Sequence, residues 1–162
     1  MLYDKGDYHM GTIGQYGLPE SHAYHHTLYF LRWLIEHRLM SDEFRHETDY
    51  FNSGNGTNEA VLKIYEEMCD YCLIDDMLSD EGNAFAMAYF DFEKGQYIHD
   101  YIRLLQGNLP SEFHIALTEE NYEKLKQVID RRYAEWKNST RGTEKPGAGS
   151  SKPKRWWEFW RN

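Results

Sequence analysis

Apolar residues recur at spacings of three and four through Thr27, Phe30, Leu31, Leu34, Ile35 and Leu39, and this rhythm constrains the chain more than any other feature. It predicts one amphipathic helix over roughly 19–40, with Pro19 placed where a first helical turn tolerates a missing N–H. The pattern repeats downstream, each time behind a residue able to cap a helix. Ser41 with Asp42 and Glu43 opens a short helix to about Phe51. Thr57 opens one with Val61, Leu62, Tyr65, Met68, Cys69 and Cys72 on its inner face, and Ser79 one through Phe85, Tyr89 and Phe92. A fifth carries Tyr97, Ile98, Tyr101, Ile102 and Leu105, and Thr118 starts a last one with Tyr122, Leu125, Val128, Ile129, Tyr133 and Trp136 inside. Gly82-Asn83 reads as a close approach of backbone to a neighbouring element. The strand-like stretch Phe113-His114-Ile115-Ala116-Leu117 has no ladder partner except residues near Tyr3 or Tyr8, and is read as an extended connector. The expectation is an all-α fold, one compact bundle of five to six helices.

Charge divides the chain. Residues 1–137 hold 25 acidic and 12 basic residues, net −13, whereas residues 138–162 carry net +4. Residues 138–154 are rich in Ser, Thr, Gly, Pro and Lys and read as a flexible linker. A basic aromatic motif follows at 155–162, where Trp156, Trp157, Phe159 and Trp160 form a tail anchor that something should cover. The acidic balance argues against a nucleic-acid partner, and neither a bilayer-spanning apolar run nor the layout of a signal peptide is present, so a cytoplasmic location is expected. A membrane role for the tail is disfavoured because Glu158 interrupts its single amphipathic turn.

Three further segments resemble a known family. They are Tyr3-Asp4 with Tyr8-His9 and Leu18-Pro19 leading into His26, Phe30, Trp33, Leu34 and Ile35; Leu78 to Ala86 with Tyr89, Tyr97 and Asp100-Tyr101; and Thr118 with Glu120-Asn121-Tyr122 and Val128 to Trp136. Together they resemble a family of small uncharacterised bacterial proteins, a domain of unknown function, over most of residues 1–137. The resemblance implies one bacterial cytoplasmic domain and no reaction. In general character it is similar to proteins encoded near toxin and interbacterial-competition genes. His25 beside His26 and the basic tail depart from the family's pattern.

Candidate chemistry is sparse. Cys69-x-x-Cys72 is half of a zinc site without a second cysteine pair, and reads more simply as two small core residues. His22 and His26, one helical turn apart, can face one direction, with His25 or His9 as a third ligand. A metal-binding enzyme or sensor built on His22, His26, Cys69 and Cys72, with zinc as its cofactor, is therefore the alternative function. Asp75-Asp76 and Asp80-Glu81 are paired carboxylates, but Asp80 and Glu81 already serve a helix start, and no catalytic motif surrounds them. The leading expectation is a non-catalytic protein-binding domain with no cofactor. Its partner surface is Tyr24, Tyr29, Tyr50, Tyr71 and Tyr97 at the edges of helix faces, with Asp75, Asp76, Asp80 and Glu81 supplying charge. A basic partner fits, such as a toxin neutralised by an immunity-type protein. An adaptor directed by its aromatic tail to a membrane or complex is the third reading.

Overall fold

A helix whose every side is covered has to lie at the centre of its fold, and the computed structural model, which describes residues 1–143, places the 27–39 stripe there. His25 to Ile35 are all buried in α2 (His25–Glu36). Around it stand α1 (Met10–Tyr16), α3 (Asp42–Tyr50), α4 (Asn58–Glu67), α5 (Asp80–Tyr89), α6 (Tyr97–Leu105) and α7 (Glu119–Thr143). The fold is helical as expected, but the seven α-helices among the described residues exceed the five to six read from periodicity, because α1 lies in a glycine-rich stretch without a clear apolar stripe. The long helix expected over 19–40 is two elements, a 3-10 turn at Glu20–Tyr24 followed by α2, which stops where Arg38 adopts a left-handed φ of 57°. At the other end α7 runs to Thr143, six residues into the expected linker, with the Ser139 and Thr140 hydroxyls bonded back to the Trp136 carbonyl. The rest of that linker and the tail anchor Trp156, Trp157, Phe159 and Trp160 lie outside the described residues. Among the described residues no helix is long and apolar enough to cross a membrane.

The capping signals hold at three of four starts. Thr57 accepts from the Ala60 amide, Ser79 from Gly82 and Thr118 from Asn121. Ser41 is the exception: its hydroxyl makes no cap bond and is buried without a hydrogen-bond partner among the described residues.

The core around α2 is aromatic. The Phe30 ring lies 4.6 Å from Phe90 and 5.2 Å from Tyr97, and Trp33 lies 5.3 Å from Phe85 and 5.1 Å from Tyr133. Such rings bury large areas and add edge and stacking preferences to the transfer term, which fixes the angles of the surrounding helices.

A two-stranded antiparallel ribbon closes one side, pairing β1 (Leu2–Lys5) with β2 (Cys72–Ile74) through Asp4 opposite Leu73 and Lys5 opposite Cys72. Cys72 is thus on a strand and not on the inner face of a helix: α4 ends at Glu67, and Asp70 and Tyr71 reverse the chain with left-handed φ of 47° and 55°. The expected connector is largely that, with Glu112–His114 in a 3-10 turn and 115–118 outside regular structure. Its carbonyls are taken up by side chains of α2, Ile115 by His25 and Ala116 by Tyr29.

The close approach expected at Gly82 is severe. A Cβ there would stand 2.3 Å from the Leu39 carbonyl oxygen, the same oxygen that accepts from the Ser79 amide and hydroxyl. Gly82→Ala must therefore push α5 off the Leu39–Met40 segment. We expect it to cost about 1–3 kcal/mol, as overpacking does, measured as a lower urea midpoint with an unchanged slope. A midpoint equal to that of the parent chain would show that the helix start is free to shift.

Candidate functional site

Gly6 lets a side chain lie flat on the turn after β1. A Cβ at this position would be 3.0 Å from the Tyr24 ring, so the ring closes directly over the backbone of the 3-10 turn Gly6–His9. Tyr24 is also 5.8 Å from the ring of Tyr71. Tyr71 is held in its unusual backbone conformation by two bonds to its carbonyl, from the Gly6 amide at 3.0 Å and the Tyr65 hydroxyl at 2.7 Å. Successive non-glycine residues in the left-handed region cost roughly 1–2 kcal/mol each, and such strain collects where a surface has a task.

These elements line a depression of about 420 Å³ bounded by Asp7, Met10, Glu20, Ser21, Tyr24, Glu66 and Tyr71. Its charged groups are all acidic. Asp7 pairs with Lys5 at its rim, whereas Glu20 and Glu66 have no ion-pair partner among the described residues. The Tyr24 hydroxyl donates to Glu66 at 3.0 Å, and burial followed by the neighbouring Glu66 pushes this phenol well above its ordinary value. It therefore remains a neutral donor to Glu66. Two tyrosine walls with carboxylates at the edge are the elements that accommodate an ammonium or guanidinium group.

Of the five tyrosines expected at the surface, Tyr71 is exposed at this depression, whereas Tyr24 lines its floor and is itself buried. Tyr29 and Tyr97 do not reach solvent: the Tyr29 hydroxyl bonds the connector at Ala116 and the Tyr97 hydroxyl donates to the His26 carbonyl at 2.6 Å. For Tyr29 the cause is that α2, covered on every side, has no rim for a tyrosine to occupy, whereas Tyr97 lies on the inner side of α6 against Phe30 and Tyr101. Tyr50 is exposed, but it borders a separate, mainly apolar groove of about 220 Å³ with Phe51, Ala60, Ile64 and Met68. The four expected carboxylates stay apart from the tyrosines. Asp75 pairs with the Met1 amine, Glu81 is engaged by the Tyr133 hydroxyl and Lys137, and Asp76 and Asp80 are exposed. The carboxylates that do face Tyr24 and Tyr71 come from three separated segments, and no local pattern in the sequence connects them.

The expected ligand set His22, His26, Cys69 and Cys72 is not one group either. His22 is bound through Nδ1 to the Phe113 carbonyl at 2.6 Å. Cys69 is a core residue whose thiol is pushed up to about 12 by burial, and Cys72 sits across the ribbon from Lys5. His25 is buried against the Ile115 carbonyl, and burial lowers it to about 4, so it is neutral at pH 7. Among the described residues, the one group of three potential ligands whose atoms lie within 4.8 Å of one another is Asp4, His9 and His26. Asp4 of β1 is almost fully buried, with His9 Nε2 at 3.1 Å from Oδ1, His26 Nε2 at 3.2 Å from Oδ2, and the Thr27 hydroxyl donating to Oδ2. Burial acts to raise the Asp4 carboxyl, but the adjacent His26 and His9 imidazoles and the Thr27 hydroxyl outweigh it and hold it well below the ordinary 3.8.

Among the described residues, seven α-helices on a small ribbon, with an acidic aromatic depression and a buried carboxylate between two imidazoles, define a small helical domain. The chain belongs to the family described as a domain of unknown function (DUF7832), whose model matches residues 2–115. No curated protein and no solved structure matches it. The matched stretch contains every residue of the depression and of the Asp4–His9–His26 group. It ends before α7, so the likeness read from Thr118 to Trp136 lies outside it.

Proposed function

We propose that this chain is a non-catalytic protein-binding domain that seats a lysine or arginine of a basic partner in this acidic depression, against the exposed Tyr71 ring. The observation that carries the proposal is the convergence of Asp7, Glu20 and Glu66 on two aromatic walls, with Glu20 and Glu66 lacking an ion-pair partner among the described residues. The net −13 of residues 1–137 supports it by steering a cationic protein towards the domain, which raises the association rate at low salt. A partner of the toxin class, neutralised by occlusion and without chemistry on this side, is the form of the proposal that the sequence suggests.

The test titrates the isotope-labelled full chain with an arginine-rich peptide and with a matched neutral peptide, following amide shifts. Shifts centred on Asp7, Ser21, Glu66 and Tyr71, weakening as salt rises, are expected for the basic peptide alone. The double variant Glu20→Lys/Glu66→Lys should reduce affinity by about tenfold or more. Equal responses to both peptides, or shifts elsewhere that ignore salt, would remove the proposal.

A further inference from the structure

We propose that Asp4, His9 and His26 form a binding site for a divalent transition-metal ion of the zinc type, with the two Nε2 atoms and the Asp4 carboxylate as its protein ligands.

The observation behind it is a buried imidazole nitrogen whose charged neighbour, the Asp4 carboxylate at 3.2 Å, completes no hydrogen bond with it. His26 Nε2 belongs to a residue 3% exposed and faces the Asp4 carboxylate, yet it completes a hydrogen bond with no protein atom among the described residues. A buried imidazole nitrogen in that condition carries a desolvation cost that a bound ion would relieve. The spacing is compatible with such an ion, since ligands about 2.0 Å from a tetrahedral zinc stand about 3.3 Å from one another. Each imidazole lies at such a distance from one oxygen of the carboxylate, His9 at 3.1 Å from Oδ1 and His26 at 3.2 Å from Oδ2, and one ligand atom from each residue lies within 4.8 Å of the others.

The donor set is also suitable. Two imidazoles and a carboxylate are a recurrent three-ligand arrangement for zinc, leaving one position for water. His9 is the ligand nearest solvent, its side chain 22% exposed and its ring packed 5.6 Å from Phe113. The Thr27 hydroxyl on Oδ2 supplies the outer contact that orients a ligating carboxylate. The three ligands come from β1, the following 3-10 turn and the first turn of α2, so a bound ion would tie the ribbon to the central helix.

The experiment uses the full chain stripped with a chelator. Calorimetric titration with zinc and visible absorption with cobalt should each show one equivalent bound, with the cobalt spectrum of a tetrahedral or five-coordinate site. Asp4→Asn and His9→Gln should each weaken zinc by at least about tenfold, and Thr27→Val by about ten- to a hundredfold. Cys69→Ser/Cys72→Ser should bind as the parent does. Zinc should raise the melting temperature of the parent and not that of His9→Gln, a partly exposed position suited to a variant that keeps its fold. A stripped parent that takes up no equivalent, or a folded His9→Gln with unchanged affinity, overturns the proposal.

Discussion

Arg32→Met is expected to lower folding stability by about 3–5 kcal/mol, because the buried Asn58 Oδ1 and Gly56 carbonyl each lose their donor at about 1–3 kcal/mol. Arg32 is 4% exposed and its guanidinium engages four groups: Glu36 at 3.0 Å, Asn58 Oδ1 at 2.8 Å, Glu119 at 2.7 Å and the Gly56 carbonyl at 2.8 Å. It also lies 3.8 Å above the centre of the Tyr122 ring. One side chain thus ties α2 to the starts of α4 and α7. Methionine fills much of the same volume, so the loss measures the polar contacts more than the packing. Glu36 would keep Lys126 and Glu119 would turn to water, whereas Asn58 and the Gly56 carbonyl would lose a buried donor. Arg32→Lys should recover only part of the loss, because an ammonium cannot serve these directions with one planar fork. Urea denaturation with a common slope reads both variants, and a loss under about 1 kcal/mol for Arg32→Met would show that the network is incidental.

Arg32 also shows where reading the sequence stops. Between Leu31 and Trp33, a charged residue marks the wet side of an amphipathic helix by any local rule, and the same rule sends Tyr29 to a rim. The rule fails at both positions because the covering neighbours are distant in sequence, Asn58 and Glu119 over Arg32, and the connector at Ala116 with Tyr101 and Tyr122 over Tyr29. What was legible was local: the caps at Thr57, Ser79 and Thr118 act within three residues, and the α2 stripe specifies its own buried side. What was not legible was pairing at a distance. The β1–β2 register joins Lys5 to Cys72 and thereby moves Cys72 off its expected helix. The same holds for the sites. Tyr24, Tyr71, His9 and His26 are visible as residue types suited to binding, but Glu66 and Asp4 become their partners only once the ribbon has brought the chain's first residues beside the end of α4.

Trp33→Ala should produce a loss of similar size by a different route, about 3–5 kcal/mol for a large aromatic removed from a core. Trp33 is fully buried, stacked 4.0 Å from His37, packed on Phe85 and Tyr133, and bonded through Nε1 to Asp130 at 2.8 Å. Trp33→Phe separates the contributions: it keeps an aromatic ring and gives up the hydrogen bond, and should cost about 1–2 kcal/mol with some loss of ring area. In a chain of this size each kcal/mol is worth about 2–4 °C in melting temperature, so Trp33→Ala should melt roughly 6–20 °C below the parent. Adjacent in sequence, Arg32 and Trp33 have different neighbours, the starts of α4 and α7 on one side, α5 and the later turns of α7 on the other. Their losses should therefore come near to adding, with any coupling carried by the α2 backbone and by α7, which both side chains reach. The sum, about 6–10 kcal/mol, is comparable to the whole stability of an ordinary domain, so the double variant should be unfolded in buffer. A double variant that stays folded, with a loss no greater than that of either single change, would mean that one side of α2 already comes away when the other is broken.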